Sequence, residues 1–227
     1  MRAWFSGRDR DGLQHRLIRQ SASLLLSYPD ERLGDRLSIV DSLLDHVTAE
    51  PRRLLTDTVD GLRGLNPYAA QTDYVATFDL SRGATMYLTY WTDGDTRNRG
   101  AAMHAFVQTY RQVGARASSC EAPDHLTVVL EFAATVDPVG GQRLLTDHRI
   151  ALDILREALT ARGSLYAPAI EAVCATLPPV TDQEQRRARR LAETGPAAEA
   201  IGLQPFTLTV PPRRDAASGR VRAEGAR

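Results

Sequence analysis

From residue 14 onward, apolar side chains recur three and four positions apart, and each such stripe predicts a helix. Leu17, Ser21, Leu24, Leu25 and Tyr28 share one face of a first helix, which Pro29 ends. Leu33, Leu37, Val40, Leu43 and Leu44 form the stripe of a second, over residues 31–47. Pro51 interrupts the pattern, and a short helix over 52–62 stops at Gly64. Asn66-Pro67 then reads as a helix start, an N-cap acceptor followed by proline at the first helical position. This helix extends to about Phe78 and carries Tyr74 and Phe78 inward. Gly83 interrupts, and residues 85–91 are too short to assign by period.

Asp95 is placed to cap a helix over 96–113, which Gly114 closes. Residues 115–123 are polar. The segment 126–132 has strand propensity, yet Leu126, Val129, Leu130 and Ala133 also make a helical face. No partner strand is evident elsewhere, so helix is the assignment. The cleanest stripe runs over 147–162, with Ile150, Ile154, Leu155, Ala158 and Leu159 on one face and Asp147, Arg149, Asp153 and Arg156 on the other. A helix over 165–177 ends at Pro178-Pro179, and Thr181 with Glu184 reads as the capping box of a last one. The expectation is an all-α protein: a single globular domain of about eight to ten packed helices. A flexible N-terminal arm (1–12) precedes the helical domain (13–204), and a Pro-, Arg- and Gly-rich disordered tail (205–227) follows it.

Composition narrows the function. With 43% hydrophobic residues the chain can bury a sizeable core, and its formal net charge of zero provides no global field for nucleic acid. There is no lysine, which excludes Schiff-base lysines and phosphate-loop lysines. Cys120 and Cys174 form no CxxC pair, so neither a zinc site nor a disulfide framework is expected. The charged start lacks a signal core and no apolar run is long enough to span a bilayer. A cytoplasmic protein without direct membrane insertion is therefore expected.

Two clusters are candidate sites. Glu121-Ala122-Pro123-Asp124-His125 places two carboxylates and an imidazole at a proline-rigidified helix entrance. It reads as an acid–base or metal centre, as a helix start with Asp124 at the positive end, or as a peptide-recognition surface. No second ligand cluster completes a metal site, so no metal or cofactor is expected. Tyr87, Tyr90 and Trp91 read as core or as rings lining a groove. The Arg186, Arg187, Arg189 and Arg190 run reads as a solvated helix face.

Two segments together resemble a known family. Tyr74-x-x-x-Phe78-Asp79 followed by Tyr87-Leu-Thr-Tyr90-Trp91 and Gly94-Asp95-Thr96-Arg97-x-Arg99-Gly100 is similar to nitrate reductase delta-subunit chaperones of the NarJ type. Glu121-x-Pro123-Asp124-His125-Leu126 resembles the signature of the wider TorD-type molybdoenzyme chaperones. Gly83, Ala122 and Thr127 depart from the usual arginine, leucine and proline. The resemblance implies a non-enzymatic chaperone that binds the catalytic (alpha) subunit of respiratory nitrate reductase, including its N-terminal peptide. It would hold that subunit competent for molybdenum cofactor insertion and membrane assembly, with cofactor delivery proteins as candidate further partners. Tyr87, Tyr90, Trp91, Asp95, Arg97, Glu121, Pro123, Asp124 and His125 are the implied partner-binding residues. The alternatives are a chaperone for another molybdoenzyme or a small-molecule enzyme using Glu121, Asp124 and His125.

Overall fold

In the computed structural model, which describes residues 7–94, 96–116 and 120–196, every regular element is helical. Eleven α-helices follow in order: α1 (Gly7–Leu25), α2 (Leu33–Leu44), α3 (Ala49–Arg63), α4 (Pro67–Tyr74), α5 (Tyr90–Asp93), α6 (Arg97–Gln112), α7 (Leu126–Glu131), α8 (Pro138–Asp147), α9 (Arg149–Ala161), α10 (Ala167–Ala175) and α11 (Asp182–Thr194). Residues 1–6 of the expected arm and all of the expected tail, 205–227, lie outside the described residues, as does Asp95. Residues 7–12 form the first turns of α1, which begins upstream of its apolar stripe.

α1 is the hub: it packs on α2, α3, α7 and α10. Its second half is therefore enclosed on more than the one predicted face, with Ile18, Arg19, Ser21, Ala22, Ser23, Leu25 and Leu26 all buried. Burying Arg19 costs desolvation, which pulls its pKa down to about 10. The cost is offset by hydrogen bonds to Gln142 of α8 and to the Thr176 hydroxyl (3.2 Å) just beyond α10. Ser23 donates to the Thr127 carbonyl at 2.9 Å, fastening α7 to α1.

Two helices widen into single π-helical turns: Val75–Asp79 after α4 and Phe132–Val136 after α7. Each closes on an i→i−5 bond, Leu80 N–H to Val75 O and Asp137 N–H to Phe132 O, both 3.0 Å. In the second turn, Arg16 donates to the Ala134 carbonyl at 2.7 Å.

Several starts form as their sequences predict. Asn66 accepts from Ala69 N–H, and the Thr181–Glu184 capping box is complete. Others differ. Pro51 does not break the chain but sits in the first turn of α3, where its missing N–H costs nothing. Thr96, not Asp95, is the N-cap of α6, its hydroxyl accepting from Asn98 N–H. Asp153, expected on the solvent face of α9, is buried where α11 packs on that helix, and it pairs with Arg149 at 3.1 Å.

α8 is a helix that the apolar pattern does not predict, because Gly140-Gly141 interrupts it. Its signal was nevertheless present: Asp137 caps Val139 and Gly140, and Pro138 occupies the first turn. Gly141 is required by packing, since a Cβ there would overlap Ala133 of the facing π turn. Gly100 of α6 has nothing within 4 Å of its Cβ position. Gly141→Ala should therefore destabilise by about 1–3 kcal/mol, while Gly100→Ala should stabilise by about 0.5–1 kcal/mol. Urea midpoints of the two variants check the contrast.

Candidate functional site

The two sequence clusters meet in space. Residues 86–89 run alongside residues 124–126, with Leu88 N–H donating to Asp124 O (3.1 Å) and Leu126 N–H to Met86 O (2.9 Å). Tyr87 and His125 form an isolated antiparallel bridge with their rings edge to face, 5.2 Å apart. This short pairing is the only role left to the strand propensity of these segments, because α7 begins immediately at Leu126.

Asp124 holds the pairing together. Its side chain is fully buried and does not cap α7, whose N-cap is His125. Instead Oδ2 accepts from the Thr89 N–H (3.2 Å) and hydroxyl (2.6 Å), while Arg99 approaches it at 4.0 Å. Arg99 also donates to the Thr89 hydroxyl (3.3 Å) and lies over the Tyr87 ring at 5.2 Å. Asp124, Thr89 and Arg99 thus lock α5, the start of α6 and the entrance to α7 into one unit. Asp124 cannot touch a partner directly.

The aromatic trio divides. Trp91 is buried in the core. Tyr90 is half-buried against that core, its ring 5.6 Å from Trp91. Tyr87 is half-buried between His125 and Arg99. Arg97 is exposed on the first turn of α6. Pro123 is half-buried, and its carbonyl accepts from the Tyr110 hydroxyl at 2.6 Å.

Beside this unit runs a groove of about 470 Å³ that none of the trio lines. Its floor is aromatic: Tyr74, whose hydroxyl donates to Leu26 O, then Tyr110 and Phe132, whose rings lie 4.5 Å apart. The chain beyond α1 contributes Ser27 and Tyr28, and the end of α6 contributes Ala115 and Arg116. The wall from α7 and its π turn carries His125, Val128, Glu131, Thr135 and Val136, and exposed Glu121 closes the rim. Tyr28 (45% exposed) and Val136 (50%) leave apolar surface at the rim. Nothing in the sequence marks Tyr28, Tyr110, Glu131, Phe132 and Val136 as site residues, and Tyr28 reads there only as part of the first helix's stripe. They come from three separate segments, and no local pattern joins them.

His125 lines this groove yet is largely buried. Burial lowers its pKa from the ordinary histidine value, more than the nearby Glu121, Asp124 and Asp79 carboxylates raise it. Its Nδ1 lies 2.7 Å from the Thr127 hydroxyl. The unfolded chain therefore takes up this proton first, and the stability gained from a neutral His125 is lost as pH falls below about 6.5. His15, partly buried and near Arg19, shifts the same way. Urea midpoints should be lower at pH 5.5 than at pH 7.5, by a difference that His125→Gln reduces.

The joined motifs, and the groove apart from Ser27 and Tyr28, lie within residues 44–172, the span matched by a known family. A family profile described as nitrate reductase delta subunit matches residues 44–172. The chain belongs to the nitrate reductase delta-subunit family. The nitrate reductase-like protein NarX of Mycobacterium tuberculosis (strain H37Rv) is 49% identical over 160 residues, 70% of this chain and 24% of that protein. The chain thus spans about a quarter of that relative's length. A Bacillus subtilis protein named as the nitrate reductase molybdenum cofactor assembly chaperone NarJ is 30% identical over 156 residues, covering 68% of this chain and 85% of that one. NarJ of Escherichia coli K12, named likewise, is 30% identical over 148 residues, 64% of this chain and 63% of that one. A crystal structure from Archaeoglobus fulgidus, described as a redox enzyme maturation protein, shares the fold. Its TM-score is 0.53 at 24% identity, over 77% of this chain and 96% of that one.

Proposed function

We propose that this delta-subunit family member is a cytoplasmic assembly chaperone for a respiratory nitrate reductase, not an enzyme. It binds the catalytic subunit, including its N-terminal segment, and holds that subunit competent for molybdenum cofactor insertion and membrane assembly. The observation that carries the reading is the groove: an aromatic floor and carboxylate-bearing rim on a rigid helical frame. Such a surface suits an amphipathic segment with apolar and basic side chains. The names of the NarJ relatives support the same role. No helix of the described residues is long and apolar enough to cross a membrane.

The enzyme alternative fits the geometry less well. Asp124 is enclosed and committed to Thr89, so Glu121, Asp124 and His125 do not converge on a common substrate position. Among the described residues no three His, Cys, Asp or Glu side chains gather as a metal site. The client contacts fall instead to Glu121 and His125, with Tyr87 and Arg97 at the margin, while Asp124 and Trp91 act through the shape they maintain.

Affinity purification of this protein from nitrate-respiring cells tests the proposal. The expected partner is the catalytic subunit of nitrate reductase. Recovery of the catalytic subunit of a different molybdoenzyme in its place would reassign the client.

A further inference from the structure

We propose that the groove selects a client segment of ordered charge, with cations in one part and carboxylates in the next. The inference rests on the groove being the client site, as proposed above, and its test separates the two.

The groove does not end at its carboxylate rim. Ala115 and Arg116 also line a second hollow of about 440 Å³, whose other walls are Val107, Arg111 and Gly114. The two hollows therefore join at Ala115 and Arg116. Val107 and Arg111 lie four residues apart on one face of α6, so the extension sets an apolar side chain beside a cation. Glu121 and Glu131 line the first hollow, Arg111 the second, and Arg116 the junction. All four side chains are exposed. Among the described residues, no ion pair joins either arginine to either glutamate. Opposite charges thus share one concave surface without neutralising each other, and both remain open to a partner.

The backbone fixes this arrangement. Gly114, at φ 76°, ends α6 in a left-handed turn. Its N–H bonds to Arg111 O and the Ala115 N–H to Tyr110 O, both at 3.0 Å. The Tyr110 hydroxyl then ties the same helix end to the carbonyl of Pro123, two residues from Glu121. The backbones that carry the opposite charges are thereby held relative to each other.

A segment that is basic throughout satisfies Glu121 and Glu131 but then meets Arg116 and Arg111. A segment whose cations give way to carboxylates satisfies both hollows, while its apolar face lies on the aromatic floor. Exposed ion pairs contribute little to affinity one at a time. Their order acts mainly by rejecting segments that bring like charges together. The arginines thus give the groove a means of choosing among basic amphipathic segments.

Two synthetic amphipathic peptides with the same apolar stripe serve as probes. One carries arginines in its first half and glutamates in its second; in the other, every charged position is arginine. Calorimetric titration into the full-length protein at low salt should show the first binding about 5- to 20-fold more tightly. High salt should shrink that ratio. R111E/R116E should reverse the preference, and R111Q/R116Q should abolish it. The thermal midpoints of both variants should stay within a degree or two of wild type, because the replaced side chains are exposed. The same ratio in wild type and R111E/R116E would overturn the proposal, as would failure of the wild type to bind either peptide. E121R/E131R separates this result from the parent reading. If it weakens both peptides while the arginine variants change nothing, the groove stands and the charge order is wrong. If it also changes nothing, the groove is not the binding site and both readings fall.

Discussion

Asp124→Ala should lower folding stability by about 2–4 kcal/mol and the thermal midpoint by about 10 °C. The truncation strands the buried Thr89 N–H and hydroxyl, each costing about 1–3 kcal/mol when unpaired. It also removes the carboxylate that Arg99 approaches at 4.0 Å. Part of the loss is returned, because Asp124 Oδ1 is itself buried without a hydrogen-bond partner among the described residues. Asp124→Asn separates the contributions: its amide oxygen still accepts from Thr89 while the charge is gone, so it should cost about half as much. Thermal unfolding of the three proteins gives the order wild type, Asn, Ala. Equal stability of wild type and Asp124→Ala would mean that the Thr89 bonds contribute nothing.

The second large effect concerns the groove. E121R/E131R should weaken binding of a peptide from the catalytic subunit's N-terminal segment by about 10- to 100-fold, or about 1.4–3 kcal/mol. Both side chains are exposed and neither holds a helix to another, so the thermal midpoint should move by no more than a degree or two. The reversal replaces attraction for basic client residues with repulsion, which also slows association at low salt. Calorimetric titration at two salt concentrations reads both effects. Unchanged affinity at low salt would place the client elsewhere on the protein.

The helices were legible in the sequence because their signals are local. Asn66-Pro67 and the Thr181–Glu184 box each complete a cap within four residues, and the stripe over 147–162 needs no knowledge of its neighbours. What failed to show was set by distant contacts. Gly140-Gly141 looks like a break until Ala133 is placed against it. Asp124 looks like a helix-start charge until residues 86–89 are folded alongside it, after which it is the buried partner of Thr89. Trp91 is core because the surrounding helices close over it, and spacing alone could not separate that outcome from a surface ring. The groove depends on the juxtaposition of Tyr28, Tyr74, Tyr110 and Phe132, which lie up to about a hundred residues apart in the chain. Motif matching thus found the frame of the site, and only the fold located its concave surface.

Under the proposed function, the protein acts on the enzyme's assembly rather than in its chemistry. The most direct measurement is the molybdenum content of nitrate reductase isolated from cells lacking this protein. The catalytic subunit should be synthesised but deficient in molybdenum cofactor, and the wild-type gene should restore loading while E121R/E131R should not. Catalytic subunit carrying its full complement of molybdenum in the deletion strain would contradict it.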